Sequence, residues 1–202
     1  MRGAITGVAQ SAALDWRVKT FSEPFCDALD TLRGVGRLDD VQGVALGLDL
    51  RGNISPLKKD NKLVLELKMP DFPAYLHVDY LQSNGTMFHL VQDDGKTFQE
   101  SDGSKWNSGG DSRTFRPLAK VVLGQNARNA ATTKEVEWIV DEPFGTDMII
   151  AIASSEPLFR IMRPVAEPPA DYVRALNAAL DSARARGVRL SGQALLVTTV
   201  ER

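Results

Sequence analysis

The stretch Lys62 to Val91 constrains this chain most, because it joins two alternating strands to a third run through Ser83-Asn84-Gly85. Leu63, Leu65, Leu67 and Met69 fall on one face of the first strand, with Glu66 and Lys68 on the other. That period of two marks a half-buried strand. Pro70 and Pro73 bracket Asp71-Phe72, and proline gives a ladder no donor, so the chain leaves the sheet there. The run from Ala74 to Gln82 alternates again, with Leu76, Val78 and Tyr80 on one side and Tyr75, His77, Asp79 and Leu81 on the other. Asn-Gly suits a two-residue turn whose central positions need positive φ, so Thr86 to Val91 returns antiparallel.

The rest of the chain repeats these signals. Ile5 to Val8 and Trp16 to Phe21 read as short strands. Ser22 is a good N-cap for a helix starting near Glu23-Pro24, with Phe25, Leu29 and Leu32 as its apolar stripe and Gly34 and Gly36 ending it. Val44, Leu46, Leu48 and Leu50 alternate as another strand. Asp93 to Asp111 reads as a long polar loop, Lys120 to Leu123 as a strand, and Gly124 to Lys134 as a second polar gap. Val136, Trp138 and Val140 alternate, and the apolar run Met148 to Ala153 has the composition of a strand buried on both faces. Near the end, Pro168-Pro169-Ala170-Asp171 opens a helix striped by Tyr172, Leu176, Leu180 and Ala183, capped by Gly187. A strand over Ala194 to Val200 closes the chain. The expected fold is mainly β, a β-sandwich of Ig-like or related antiparallel topology with helices at the N- and C-terminal ends. The expected organisation is an N-terminal segment with one helix over residues 1–38, the sandwich over 39–165, and a helix plus strand packed on it over 166–202.

Charge and composition exclude several function classes. A net charge of −2 with no dense Lys/Arg run leaves no nucleic-acid footprint. No run of about eighteen apolar residues offers a transmembrane helix, and the opening Met1 to Thr6 lacks the apolar stretch of a secretory signal. Cys26 is the sole cysteine, so an internal disulfide and a multi-cysteine metal site are both ruled out. Its place beside Phe25 in an amphipathic helix favours core packing over nucleophilic work.

The two histidines offer the remaining chemistry. With a two-residue loop, Asp79 faces Leu90 and His77 and His89 point to opposite faces; with a three-residue loop, Asp79 faces His89 and all three share one face. Asn-Gly favours the former, which makes both histidines surface or edge residues. The latter is the basis for an alternative reading, a metal-dependent hydrolase using His77, Asp79 and His89, though these would be thin ligation for zinc. Ser154-Ser155-Glu156 lacks the Gly-x-Ser-x-Gly elbow and reads as a strand terminus. Asp93-Asp94-Gly95, Asp102-Gly103-Ser104 and Gly109-Gly110 complete neither a calcium loop nor a phosphate loop. Among aromatics, Trp138 is in phase with the core, while Trp106 and Phe115, with Tyr75 and His77, are candidate ligand or partner contacts.

The run FPAYLHVDYLQSNGTMFHL, followed by EPFGTDMIIAIASSEPLF, resembles a bacterial domain of unknown function. That domain recurs at the C-terminal end of serine/threonine protein kinases, caspase-like proteases and other signalling or envelope proteins. The likeness rests on Tyr75 to Leu90, on Pro143, Gly145, Thr146 and Asp147, and on Ser154 to Leu158, within residues 22–185. Asn84 stands where the family commonly has aspartate, and the region Asp93 to Lys134 is longer than usual. The motifs are turn-and-strand signatures and carry over no catalytic residue. The resemblance implies a non-enzymatic binding or regulatory module, cytoplasmic or periplasmic, within a larger bacterial protein. It would need no cofactor, and its partner would be a protein, a small ligand or a glycan. A structural subunit of an envelope or secretion apparatus is the further alternative.

Overall fold

Leucine alternation builds the first sheet, and a computed structural model shows how. It describes residues 24–33, 35, 45–50, 52, 55–68, 70, 72–93, 97–100, 105–107, 123–124 and 135–202. Strand β1 (Gly47–Leu50) pairs antiparallel with β3 (Lys62–Lys68), which also takes β8 (Leu123–Gly124) in parallel and β9 (Glu135–Ile139) antiparallel. Leu63, Leu65 and Leu67 are buried, as their spacing requires.

The larger sheet has the order β2 (Leu57–Lys58), β12 (Leu190–Val200), β10 (Thr146–Ser154), β4 (Tyr75–Leu81), β5 (Met87–Asp93), β6 (Thr97–Glu100), β7 (Lys105–Asn107). A two-residue strand, β11 (Ala166–Glu167), pairs with Phe88 and Met87 of β5. Its pairings are antiparallel except that between β12 and β2. Strand β10 sits between β12 and β4, and eight of its nine residues are buried, as the apolar run Met148 to Ala153 implied. Strand β4 departs from the half-exposed reading: Leu76 and Val78 are buried on one face, and His77, Asp79 and Leu81 on the other.

Two apolar clusters account for both burials. One gathers Leu48, Leu63, Leu65 and Leu67 from the smaller sheet with Leu76, Val78, Ile149, Ala151 and Val197 from the larger. The other lies on the opposite face of the larger sheet, where Leu81, Met87, Met148, Ile150 and Ile152 meet Ala28 of α1 (Phe25–Leu32) and Tyr172, Leu176, Leu180 and Ala183 of α2 (Pro169–Ala185). The protein is therefore mainly β, with largely antiparallel sheets and two helices on one face of the larger one.

Helix α2 follows its sequence signals closely. Proline stands at its first positions and Asp171 in its first turn. Its end is a Schellman closure in which Gly187, at φ +72°, and Val188 donate to the carbonyls of Arg184 and Ala183. In α1, Phe25, Leu29 and Leu32 flank a buried line through Ala28 and Thr31. Cys26 is exposed, contrary to the core packing expected of it. Two residues are about 200° of helix rotation, which turns Cys26 away from Ala28.

Other expectations are corrected by pairing. The stretch read as a polar loop, Asp93 to Asp111, contains β6 and β7, which extend the larger sheet. The two strands are four and three residues long, too short for a period of two to show among their polar neighbours. Of the closing strand, Ala194 to Val200 is only the second half; β12 begins at Leu190 and runs beside the whole of β10. The short strands expected at Ile5 to Val8 and Trp16 to Phe21, and the N-cap Ser22, lie outside the described residues.

Polar side chains brace the two sheets. The Ser191 hydroxyl accepts from the Leu46 amide at 2.9 Å, and the Gln193 side-chain carbonyl accepts from the Leu48 amide at 2.8 Å. These amides belong to the edge of the smaller sheet, so β12 satisfies donors that a free edge would leave unpaired.

Candidate functional site

The hairpin register decides what the central polar residues can do. Asp79 pairs with His89, Tyr80 with Phe88 and Leu81 with Met87. The loop therefore spans Ser83 to Gly85, with Gly85 at φ +81° and its amide donating to the Gln82 carbonyl at 2.9 Å. This overturns the two-residue turn expected from Asn84-Gly85. Asn84 instead accepts from the Thr86 amide at 2.9 Å, an Asx-type contact that a three-residue loop accommodates. The one-residue difference rotates every facing side chain. A register shift follows between Val78 and Asp79, where Val78 pairs with Val91 and Leu90 is the extra residue.

The expectation of surface or edge histidines fails with the register. His77 and His89 are both buried, at 3% and 1% exposure, on the face covered by the helices. His77 meets Phe159 edge-on at 5.5 Å, and His89 meets the ring of Tyr172 at 4.7 Å.

His89 is held at both ring nitrogens. Nδ1 lies 2.6 Å from Asp79 Oδ1, and Nε2 lies 2.9 Å from Glu167 Oε1. The other oxygen of Asp79 accepts from the Tyr172 hydroxyl. Glu167 accepts from Arg163 Nε at 2.7 Å and takes a second Arg163 hydrogen bond through Nη2. Arg163, Glu167, His89 and Asp79 thus alternate in charge and end on Tyr172, a chain running from the sheet edge to the buried face of α2.

Titration follows from these contacts. Burial pulls the His89 pKa down, but hydrogen bonds and charge from Asp79 and Glu167 outweigh it, and the net shift is upward from 6.5. Burial works to raise Glu167, yet Arg163 and His89 bring it below 4.5. Burial, then the Asp79 charge, pushes the Tyr172 phenol well above 10.0, so it stays a donor. The Glu167 hydrogen bond raises Arg163 further. Two facing carboxylates select the imidazolium form of His89, the only form that can donate at both ring nitrogens.

The backbone of Arg163 is fixed as firmly as its side chain. Gln92 donates to the Arg163 carbonyl at 3.1 Å and accepts from its amide at 2.8 Å, and the His89 amide donates to the Val165 carbonyl at 2.9 Å.

A second buried carboxylate explains the Gly145-Thr146-Asp147 signature. Asp147 accepts from the Tyr80 hydroxyl at 2.7 Å, the Ser83 amide at 2.7 Å and the Thr199 hydroxyl at 3.2 Å. Burial, with the Asp147 contact added, pushes Tyr80 far above 10.0. Gly145 exchanges backbone hydrogen bonds with Thr199, and a Cβ there would stand 2.7 Å from the Ser83 Cβ. These residues lock the hairpin tip to β10 and β12.

The other expected site residues do not gather round this cluster. Tyr75 is half-buried at the start of β4, on the His77 face. Trp106 lies in β7, opposite Phe98. Phe115 falls outside the described residues. Among the described residues no three His, Cys, Asp or Glu side chains are arranged to hold a metal ion. Residue spacing gave no hint of Arg163 and Glu167, because Glu167 lies 78 positions from His89. Tyr172 was visible only as part of an apolar stripe, and a buried phenol needs a polar partner; that was the available clue.

Fold and cluster together define a mainly β protein with a buried ionic chain between its larger sheet and its C-terminal helix. No family model, no curated protein and no solved structure matches the chain. No described helix is long and apolar enough to cross a membrane.

Proposed function

We propose that this chain is a non-enzymatic binding or regulatory module of a bacterial signalling protein, built as a β-sandwich with a helical layer on one side. The observation that carries the reading is the internal engagement of its chemistry-bearing residues. His89 gives both nitrogens to carboxylates at 1% exposure, so it has no lone pair with which to accept a substrate proton. Asp147 spends its oxygens on the hairpin tip and on Thr199. The turn signatures that carry the family resemblance have structural work in Ser83, Gly145 and Asp147, which fits a scaffold more than a reaction centre. The cluster drawn from both sheets supports the sandwich. We assign Tyr75 and Trp106 to the binding contacts, toward a protein, a peptide or a glycan.

The test pairs binding with turnover. The purified chain is screened by thermal shift against glycans, peptides and nucleotides, and incubated with ester, phosphoester and peptide substrates with and without Zn²⁺. The expected result is a saturable rise in Tm with at least one ligand, reduced in Trp106→Ala or Tyr75→Ala, and no turnover. Turnover that disappears in a folded His89→Gln protein would contradict the reading and favour hydrolase chemistry.

A further inference from the structure

We propose that residues 158–167 form a latch on the edge of β5, held shut by one proton on His89, and that loss of this proton frees the segment while the larger sheet stays folded. The inference is independent of which partner the protein binds. Both ring nitrogens of His89 face carboxylate oxygens, at 2.6 Å and 2.9 Å. A neutral imidazole has a single N–H, so deprotonation sets a bare lone pair against a carboxylate on one side or the other.

Position decides which side gives way. Asp79 belongs to β4, an inner strand between β10 and β5, and is also held by Tyr172 from α2. Glu167 sits on a strand of two residues at the end of a segment that contains Pro164 and is flanked by Pro157 and Pro168. It can also leave with its charge compensated, because Arg163 grips both of its oxygens and its own side chain is 27% exposed. The Arg163–Glu167 pair moves to water as a unit, whereas Asp79 has no such route.

The groups that surround His89 come from the sheet, the segment and α2. Asp79 and His77 come from β4, Gln92 from β5, Glu167 from β11, Arg163 from the segment itself and Tyr172 from α2. Helix α1 buries Ala28 and Thr31. The upward shift of His89 from 6.5 places opening on the alkaline side, and the downward shift of Glu167 keeps its carboxylate charged to below pH 4.5. Opening has a structural product. Leu158 and Phe159 now pack with Tyr172 in the helix-side cluster, and Ile161 is already 80% exposed. A freed segment would show all three apolar side chains on one short stretch.

The experiment is hydrogen exchange on the full chain across pH, read as protection factors so that the intrinsic pH dependence cancels, with ¹⁵N NMR of the His89 ring alongside. The expected result is a fall of at least tenfold in protection at Arg163 and Glu167 and at His89, whose amide donates to the Val165 carbonyl, with the same midpoint as the His89 titration, while Ile149 to Ile152 keep theirs. In His89→Gln the step should vanish; if that variant does not fold, the coincidence of midpoints in the wild type decides alone. The proposal is overturned if His89 titrates without loss of protection at these amides. It is equally overturned if the β10 amides open at the same midpoint, or if His89 stays protonated until they do.

Discussion

Gly145 shows how much a single position carries. A side chain there would meet Ser83, whose amide and hydroxyl fasten the hairpin tip to Asp147 and to the Phe144 carbonyl. Gly145→Ala should therefore cost about 1–3 kcal/mol, the usual penalty for overpacking a tight contact. Asp147→Ala should cost more, about 2–4 kcal/mol, since the Tyr80 hydroxyl and the Ser83 amide would lose a buried acceptor. Urea denaturation of both variants checks the order, and an Asp147→Ala protein as stable as wild type would refute the role given to this carboxylate. The same scale explains the exposed Cys26. Its neighbour Phe25 packs on the helix-side cluster, but adjacent helical residues diverge by about 100°.

At the scale of elements, α2 is defined by one stripe. Leu176 and Leu180 are 1% and 0% exposed, whereas Asn177, beside them in sequence, faces water. Leu180→Ala should destabilise by about 2–5 kcal/mol, and Asn177→Ala should be neutral or slightly stabilising through helix propensity. Comparable losses for the two would mean that the helix does not pack as described. Elements of this kind were legible in the sequence because a repeating apolar spacing reports a buried face directly. Leu63, Leu65 and Leu67 gave β3, Met148 to Ala153 gave β10, and Tyr172 to Ala183 gave α2. Register was not legible. Asn84-Gly85 allows loops of two or three residues, and burial of Asp79 against His89 selects the longer one. That choice is made by Glu167, Arg163 and Tyr172, which no local pattern ties to the hairpin. Strands β6 and β7 were missed for the opposite reason, since their polar residues give no period to read.

For the whole molecule, the alternating chain from Arg163 to Tyr172 links sheet, edge segment and helix, and so gives stability a pH signature. His89 has a folded pKa above its ordinary 6.5, so its contribution is complete below that value and is lost as pH rises through the raised folded pKa. Glu167 has a folded pKa below 4.5, so its contribution is complete above that value and is lost as pH falls through the lowered folded pKa. Unfolding free energy should be greatest between about pH 4.5 and 6.5 and decline on both sides. Denaturation midpoints across pH check this, and a protein that gains stability steadily from pH 6 to 9 would not contain the pairing.

The most direct test is the charge on His89 itself. In ¹⁵N-detected NMR at pH 7, both of its ring nitrogens should appear protonated, with imidazolium shifts that persist above the usual histidine range and each coupled to a slowly exchanging proton. A neutral ring at pH 7, with one nitrogen bare, would contradict the account of this protein as one whose buried charges serve each other.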